Sequence, residues 1–377
     1  MGAGKRAVRV GPQYPDPLAA GHDHGGQVHE AARLRQVEPH AILDASASIN
    51  PLGPPSSALQ ALSDLAGLVR HYPDSTHEPV RRALSAALAV PTDHIWCGNG
   101  ATEVLDQLLY TLRPRRVCIV EPAFSEYGRV AARHGLPIER IAMKPPFSYP
   151  ADRLDALLAE GDVLVFNNPH NPSGRAYPRS EWESLFWRWA ARGVHILVDE
   201  AFMDFLPDAS RFSALPLATS VDGVTVVRSA TKIFALPGLR LGAGIGSPSL
   251  VHKITSLRDP WSVNQLAQAA AVAAYKDAAF LQETWQWLEG ARAWAEGTWG
   301  SHPRIHTFPT TANFMLARWP EAAVASHVAA ALWNNGVLVR RLHGSLGLGA
   351  EWMRIALRTP EENVRIWRVV QAALDDS

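Results

Sequence analysis

Lys232, in the segment SATKIFALPGLRLG, has the surroundings that covalent chemistry by a lysine requires. It follows a short apolar run, Ser229 and Thr231 lie just before it, and Arg240 lies eight residues further on. An amine that is desolvated near other cations has a lowered pKa and can attack a carbonyl group. The two hydroxyls and the arginine fork are suited to hold a phosphate dianion. Taken alone, Lys232 would more simply be interpreted as a solvated surface lysine.

Other polar residues lie where predicted strands end. Asp199 ends the apolar run VHILVD, so we expect a buried carboxylate, which could pair with a protonated pyridine nitrogen or cap the next segment. Asn171 lies in NNPHNPSG, whose composition predicts a turn. GNGATE (98–103) predicts the start of a helix, whose backbone N–H groups can receive a phosphate. Because ligands bind beyond the carboxyl ends of parallel strands, these segments predict an enzyme site.

Strands and helices must alternate from about residue 55 to 255 to position these residues. Apolar runs predict strands at 94–99, 116–122, 162–168, 194–200, 224–229 and 239–246. Such runs, separated by amphipathic segments, indicate a mainly parallel sheet covered on both faces. A long helical stretch (262–299) follows, and the remainder predicts an α+β unit with strands near 304–308, 313–317 and 336–340, the run MRIALR and a closing helix after Thr359.

Composition and charge exclude several classes of protein. Hydrophobic residues make up 47% of the 377-residue chain and charged residues 19%, as in a folded globular protein. The 36 basic and 36 acidic residues balance, which argues against a nucleic-acid or membrane partner. We find no secretory signal and no bilayer-spanning stretch, so we expect a cytoplasmic protein. Cys97 and Cys118 lie in apolar runs and should be buried thiols.

The order of HNPSG, VDEAF, SATK and PGLRLG resembles the fold-type I pyridoxal-phosphate enzymes, the aspartate-aminotransferase group, from about residue 22 to the C-terminus. The resemblance implies that α/β fold, pyridoxal 5′-phosphate as cofactor and a homodimer. It implies that Lys232 carries the cofactor as a Schiff base, that Asp199 pairs with the pyridine nitrogen and that Asn171 donates to the ring oxygen. The other cofactor contacts that it implies are the stacking ring of Phe124, the phosphate cradle of Gly100, Ala101, Thr102, Ser229, Thr231 and Arg240, and Tyr72 across the dimer interface.

One residue departs from this pattern. Many aminotransferases have a tyrosine where this chain has Phe202, and its hydroxyl donates to the ring oxygen of the cofactor. The loss of that hydroxyl should leave Asn171 as the main donor to the ring oxygen.

Length and resemblance together predict the domain organisation, since 377 residues suggest about two domains. We predict a mobile tail at 1–20 and a segment over the active site, part of the small domain, at 21–55. The large cofactor-binding domain should span 56–270 and the small C-terminal domain 271–377.

Three features resemble the family members that decarboxylate a phosphorylated amino acid: His24-Gly25-Gly26, the segment LDASASINPLGPP (43–55), and the pair Arg340 and Arg354. A phosphorylated amino acid brings about three negative charges, which two arginines and a histidine can meet. We expect Arg340 and His24 to engage the phosphate and Arg354 an acidic group nearby. The substrate site that the resemblance implies consists of His24, Gly25, Ser48, Asn171, Arg340 and Arg354, with Ser48 where asparagine is common.

The sequence also admits other interpretations. The nearest is a histidinol-phosphate aminotransferase or a related phospho-amino-acid aminotransferase, against which Phe202 and the HGG segment count. A regulator that keeps the fold as a sensor is not expected, because we expect no room in the poorly patterned N-terminal residues for a DNA-binding head. A nucleotide-binding protein would need a complete phosphate loop, and neither MGAGKR nor GAGIG is one. A metal site at His22, His24 and His29 is not expected.

Overall fold

The seven-stranded sheet is the larger of two sheets in the computed structural model, which describes residues 25–342 and 347–376. Its strand order is β2-β8-β7-β6-β5-β3-β4, and β8 alone among these strands runs antiparallel to its neighbours. The mainly parallel sheet predicted from the sequence is therefore confirmed. Its strands are β2 (Ile95–Gly98), β3 (Arg116–Glu121), β4 (Ile138–Ala142), β5 (Asp162–Asn167), β6 (His195–Asp199), β7 (Val224–Ser229) and β8 (Gly242–Ile245).

Both faces of this sheet are buried, because successive side chains of a strand point to opposite sides. In β5, Val163 and Val165 pack into one apolar cluster, while Leu164 and Phe166 pack into another. Leu197 of β6 joins the first cluster, and its neighbours on either side join the second. The near-continuous apolar runs of the sequence are thus explained by helices on both faces.

The smaller sheet has five strands in the order β1-β11-β12-β10-β9. Only β1 and β11 pair in parallel, so the rest of this sheet is antiparallel, as in the α+β unit predicted from the sequence. Because β1 precedes the large sheet in the chain, the small sheet is built from both ends of the sequence. Its strands are β1 (Leu43–Ala45), β9 (His306–Thr307), β10 (Phe314–Arg318), β11 (Val337–Arg341) and β12 (Trp352–Ala356).

Helices connect and cover the two sheets. In chain order they are α1 (Val28–Arg35), α2 (Ser56–Ala61), α3 (Leu65–Val69), α4 (Glu78–Leu88), α5 (Ala101–Leu112), α6 (Glu126–Arg133), α7 (Ala151–Leu157), α8 (Glu183–Ala191), α9 (Leu215–Ala218), α10 (Ala230–Ile233), α11 (Pro248–Leu257), α12 (Gln265–Ala274), α13 (Ala278–Thr298), α14 (Ala322–Asn334) and α15 (Pro360–Asp375). In the part of the chain that the structure describes, no helix has the length and apolar character needed to cross a membrane.

The structure corrects three details of the sequence-based elements. The helical stretch predicted at 262–299 is two helices, because Asp277 interrupts it and caps the second with its side chain. The strand predicted at 239–246 begins only at Gly242, after a turn and Arg240 at a φ of +59°. Strand β4 was not predicted, because this edge strand, IERIA, is only partly buried and lacks a continuous apolar run.

A buried ion network joins the ends of β6 and β7. Arg228 lies 2.9 Å from the Glu200 carboxylate and 2.5 Å from that of Asp204. Glu200 also accepts hydrogen bonds from the Ser213 hydroxyl and the Ala214 backbone N–H. Burial raises the pKa of Glu200, and the charge of Arg228 opposes that rise. Glu200 follows Asp199 in the chain and Arg228 precedes Ser229, so the network holds the ends of both strands in place.

Replacing Arg228 with alanine should lower the free energy of unfolding by about 3–5 kcal/mol, because it leaves the buried Glu200 carboxylate without its counter-ion. Urea unfolding followed by circular dichroism measures the change. Arg211→Ala is the matched control, since Arg211 is largely exposed and forms a surface ion pair with Asp208, three residues earlier. The control should lose about 0.5 kcal/mol or less, and equal losses in the two variants would contradict this account.

Candidate active site

A cavity of about 940 Å³ lies at the carboxyl ends of the parallel strands and reaches the small sheet. Asn167, Asp199 and Ser229, which end three neighbouring strands, line it together. The structure therefore brings most of the sequence-predicted site residues into one place. Those that line the cavity are Gly25, Ala101, Thr102, Phe124, Asn171, Asp199, Ser229, Thr231, Lys232, Arg240, Arg340 and Arg354.

Three of the predicted site residues that the structure describes are not among those that line the cavity, and a fourth lies outside the described residues. Ser48 is 1% exposed, and its hydroxyl has no hydrogen-bond partner among the described residues. Gly100 is buried, and a Cβ built there would meet the guanidinium of Arg240. Tyr72 is 80% exposed and packs on Trp261, with 4.9 Å between ring centroids. His24 lies outside the described residues, as does the tail predicted at 1–20.

Lys232 lies in α10, the single helical turn that follows β7. Its backbone carbonyl accepts a hydrogen bond from the backbone N–H of Asn50, whose side chain donates to the carbonyl of Ile233. Lys232 lines the cavity and is only partly exposed. Burial, and then the positive charges of Arg354 and Arg240, lower the pKa of Lys232 to about 8. A neutral, nucleophilic amine is therefore available near physiological pH.

Asp199 ends β6 with its carboxylate held by two donors. The Tyr127 hydroxyl donates to Oδ2, and the backbone N–H of Ala201 donates to Oδ1 at 2.9 Å. The side-chain amide of Asn167 donates to the Asp199 carbonyl at 2.9 Å. Burial raises the pKa of Asp199, while the two donors oppose that rise. Such a fixed, buried carboxylate can pair with a protonated ring nitrogen.

A cradle suited to a phosphate lies beside Lys232. Helix α5 starts at Ala101, so its first backbone N–H groups are available to an anion. The Ser229 and Thr231 hydroxyls lie 2.7 Å apart. Gly100 has a φ of +85°, and a Cβ there would lie 2.3 Å from an Arg240 guanidinium nitrogen. Glycine is needed for this close approach, and the resulting cradle fits the phosphate of a pyridoxal cofactor.

A second group of cations lies on the small sheet. Arg340 of β11 is paired in register with Arg354 of β12, so the two side chains are neighbours on one face. Arg354 donates to the side-chain oxygen of Asn171 at 2.6 Å and to the Ser46 carbonyl at 2.8 Å. Burial, and then the charge of Arg340, lower the pKa of Arg354 to about 9. Two adjacent arginines facing one cavity can bind an anionic ligand.

The loop after β1 supports Arg354 and closes one side of the cavity. Asp44 accepts hydrogen bonds from the hydroxyl and backbone N–H of Ser46, at 2.6 and 2.8 Å. The Ser46 hydroxyl in turn accepts the Gly26 N–H at 2.9 Å. A Cβ at Gly25 would lie 2.3 Å from the Ser46 carbonyl oxygen. Gly25 is therefore required by close packing, whereas Gly26 has a φ of +84°, which favours glycine.

Two aromatic residues define the walls around Asp199. The ring of Phe124 meets that of Tyr127 edge-on at 5.6 Å. Phe202 is buried and packs edge-on against Phe314 at 5.0 Å, so it supplies only an apolar surface to the cavity.

Sequence reasoning did not assign roles to Tyr127, Asp44 or Ser46. A signal existed for Tyr127, since it lies three residues after Phe124, at the start of the helix that follows β3. No comparable signal existed for Asp44 and Ser46, whose part in holding Arg354 depends on contacts across more than 300 residues of chain.

Comparisons with known proteins point to one family. The family model described as aminotransferase class I and II matches residues 42–369. A threonine-phosphate decarboxylase of Salmonella typhimurium is 34% identical over 356 residues, which cover 93% of this chain and 96% of that protein. A histidinol-phosphate aminotransferase structure from Clostridium acetobutylicum has a TM-score of 0.84 at 25% identity and covers 89% of this chain and 100% of that one.

A third comparison concerns the fold alone. The structure of histidinol-phosphate aminotransferase from Sinorhizobium meliloti in complex with pyridoxal-5′-phosphate is 18% identical, with a TM-score of 0.79 and coverage of 95% of this chain and 98% of that one. The architecture, the site at the strand ends and the match over most of the sequence lead to one conclusion. The chain belongs to the family of class I and II aminotransferases.

Proposed function

We propose that this chain is a pyridoxal 5′-phosphate-dependent lyase that decarboxylates O-phospho-L-threonine to (R)-1-amino-2-propanol O-2-phosphate and carbon dioxide, for cobalamin biosynthesis. The observation that carries the proposal is the neighbouring pair Arg340 and Arg354, which faces the same cavity as Lys232 and Asp199. The Salmonella relative named threonine-phosphate decarboxylase, which is similar over nearly its full length, supports the choice of reaction.

The cofactor would be held by the residues that line the inner part of the cavity. Lys232 would attach to its aldehyde carbon, Asp199 would pair with the pyridine nitrogen, and Asn171 would donate to the ring oxygen through its amide nitrogen. Asn171 is oriented for this because Arg354 occupies its side-chain oxygen. Phe124 would stack on the ring, and the phosphate cradle would comprise Gly100, Ala101, Thr102, Ser229, Thr231 and Arg240. Gly100 would act there through its backbone.

When bound, the cofactor ring accepts the electron pair of whichever Cα bond stands perpendicular to it. The residues that hold the anionic groups of the substrate therefore decide whether carbon dioxide or a proton leaves. We assign the phosphate to Arg340 and the carboxylate to Arg354, whose guanidinium Asn171 and Ser46 already fix. His24 and Gly25 remain proposed substrate contacts. Ser48 is a weaker candidate, because it is buried and does not line the cavity.

The second candidate is a histidinol-phosphate aminotransferase or a related phospho-amino-acid aminotransferase. The similarity to the Clostridium structure favours it, and the same anion-binding pair would accept the phosphate of its substrate. The two functions differ in product, so product analysis separates them.

We further propose that the enzyme acts as a homodimer in which Tyr72 reaches the cofactor phosphate of the partner subunit. Large apolar side chains between residues 65 and 72 support this, because Leu65, Val69 and Tyr72 are all exposed in the single chain. Trp261, on which Tyr72 packs, is also half-exposed. The domain bounds and the cytoplasmic location stay predictions from the sequence.

Incubation of the cofactor-loaded enzyme with O-phospho-L-threonine should release carbon dioxide and yield the phosphorylated amino alcohol. The measurement is mass spectrometry of the products together with trapped carbon dioxide. A parallel incubation with histidinol phosphate and 2-oxoglutarate tests the alternative. Formation of glutamate there, with no carbon dioxide from phosphothreonine, would replace the proposed function with the aminotransferase.

Arg340→Ala should reduce kcat/KM for O-phospho-L-threonine by about 10- to 100-fold, the range expected for lost hydrogen bonds to a charged group. The decarboxylation of unphosphorylated L-threonine, measured with the same variant, is the control, and it should change little. Equal losses for both substrates would show that Arg340 does not bind the phosphate.

The reaction of the cofactor-free enzyme with pyridoxal 5′-phosphate should become faster with rising pH, with a midpoint near pH 8. The reason is that Lys232 attacks only as a neutral amine, and its lowered pKa makes that form available well below the ordinary value of 10.5. Stopped-flow absorbance gives the rate. Free Nα-acetyl-lysine, treated identically, controls for ionisation of the cofactor, and a midpoint near 10 in both would contradict the lowered pKa.

A further inference from the structure

We propose that Tyr127 is a positioning residue that keeps Asp199 ionised and thereby keeps the pyridine nitrogen of the cofactor protonated. This inference rests on the proposed cofactor, but not on the choice between decarboxylation and amino transfer. It assigns a function to a buried hydroxyl outside the sequence motifs considered above.

The geometry gives Tyr127 direct access to Asp199. Tyr127 lies in the first turn of α6 and is 3% exposed. Its hydroxyl donates to Oδ2 of Asp199, while the Ala201 N–H donates to Oδ1. Each carboxylate oxygen thus has one protein donor and keeps lone-pair capacity for a further partner. A pyridinium N–H in the cavity is a partner that fits this remaining capacity.

The protonation states make Tyr127 the donor in this pair. Burial, and then the negative charge of Asp199, raise the pKa of Tyr127 well above its ordinary value, so the phenol keeps its proton. Burial alone would favour the protonated form of Asp199, and the Tyr127 hydrogen bond acts in the opposite direction. A donor to a carboxylate stabilises its ionised form. The proton shared between Asp199 and a pyridine nitrogen should therefore reside on the nitrogen.

The ring of Tyr127 makes a second contact with the site. It meets Phe124 at an interplanar angle of 87°, with 5.6 Å between centroids. This edge-to-face arrangement is favourable for aromatic pairs and restrains the plane of Phe124. One residue therefore contacts both the proposed partner of the pyridine nitrogen and the ring proposed to stack on the cofactor. A phenylalanine at position 127 would keep the ring contact and remove only the hydrogen bond.

Tyr177 provides a matched control. It is also 3% exposed, and its hydroxyl donates to a protein oxygen, the backbone carbonyl of Phe147. It does not line the cavity. Tyr177→Phe therefore removes a buried tyrosine hydrogen bond of comparable burial without touching Asp199.

The test uses holoenzyme loaded with pyridoxal 5′-phosphate that carries nitrogen-15 in the ring. In Tyr127→Phe, the nitrogen-15 NMR signal should move from the pyridinium toward the neutral-pyridine position, and the dissociation constant of the cofactor should rise by about tenfold. In Tyr177→Phe both quantities should match the wild type. Because protonation of the ring nitrogen is read directly, a general loss of stability cannot imitate the result.

A wild-type nitrogen-15 signal in folded Tyr127→Phe would overturn the proposal, as would an equal shift in Tyr177→Phe. If Tyr127→Phe does not fold, Tyr127→Leu takes its place, since it also lacks a donor and is smaller, and the same shift is expected. An error in the proposed cofactor would be recognised separately, because the wild-type enzyme itself would then not bind pyridoxal 5′-phosphate.

Discussion

The buried carboxylate of Asp199, at the end of β6, must be stabilised by the residues around it, and much of the surrounding structure serves this requirement. Ionised Asp199 is unfavourable without donors and a counter-charge, because burial raises its pKa. Tyr127 and the Ala201 N–H provide the donors, and Asn167 holds the backbone of the same residue. The ion network of Arg228 immobilises the next residue, Glu200. The strand ends are thereby fixed around a site that can stabilise positive charge on a ring nitrogen.

The same cavity contains several cationic side chains, which repel one another. Arg354 and Arg240 lower the pKa of Lys232, and Arg340 contributes to lowering that of Arg354. A protein with balanced total charge thus concentrates positive charge in one place. Such a concentration is stabilised when anions bind, and the cradle and the arginine pair present two separate regions for them. This is the arrangement expected for a phosphorylated cofactor together with an anionic substrate.

The site is built from residues of both sheets, and contacts between the sheets hold these residues together. Asn50, a few residues after β1, holds the backbone of Lys232 and Ile233. Arg354 of β12 bonds to Asn171, which lies in the loop after β5. A shift of the small sheet would therefore move the lysine and the proposed ring-oxygen donor together. This coupling gives a physical reason for residues far apart in the chain to act in one reaction.

The sequence by itself determined the parallel sheet and the location of Asp199 and Ser229 at strand ends, with Lys232 just after the second, because apolar runs and turn residues encode these features locally. The motif order also indicated the family. Only the tertiary structure decided that Tyr127 bonds to Asp199, that Arg340 and Arg354 are in register, and that Ser48 is buried away from the cavity. It also separated α12 from α13 and added the edge strand β4. Most of these features depend on packing between distant segments, whereas the spacing of Tyr127 from Phe124 and the local cap Asp277 were visible along the chain.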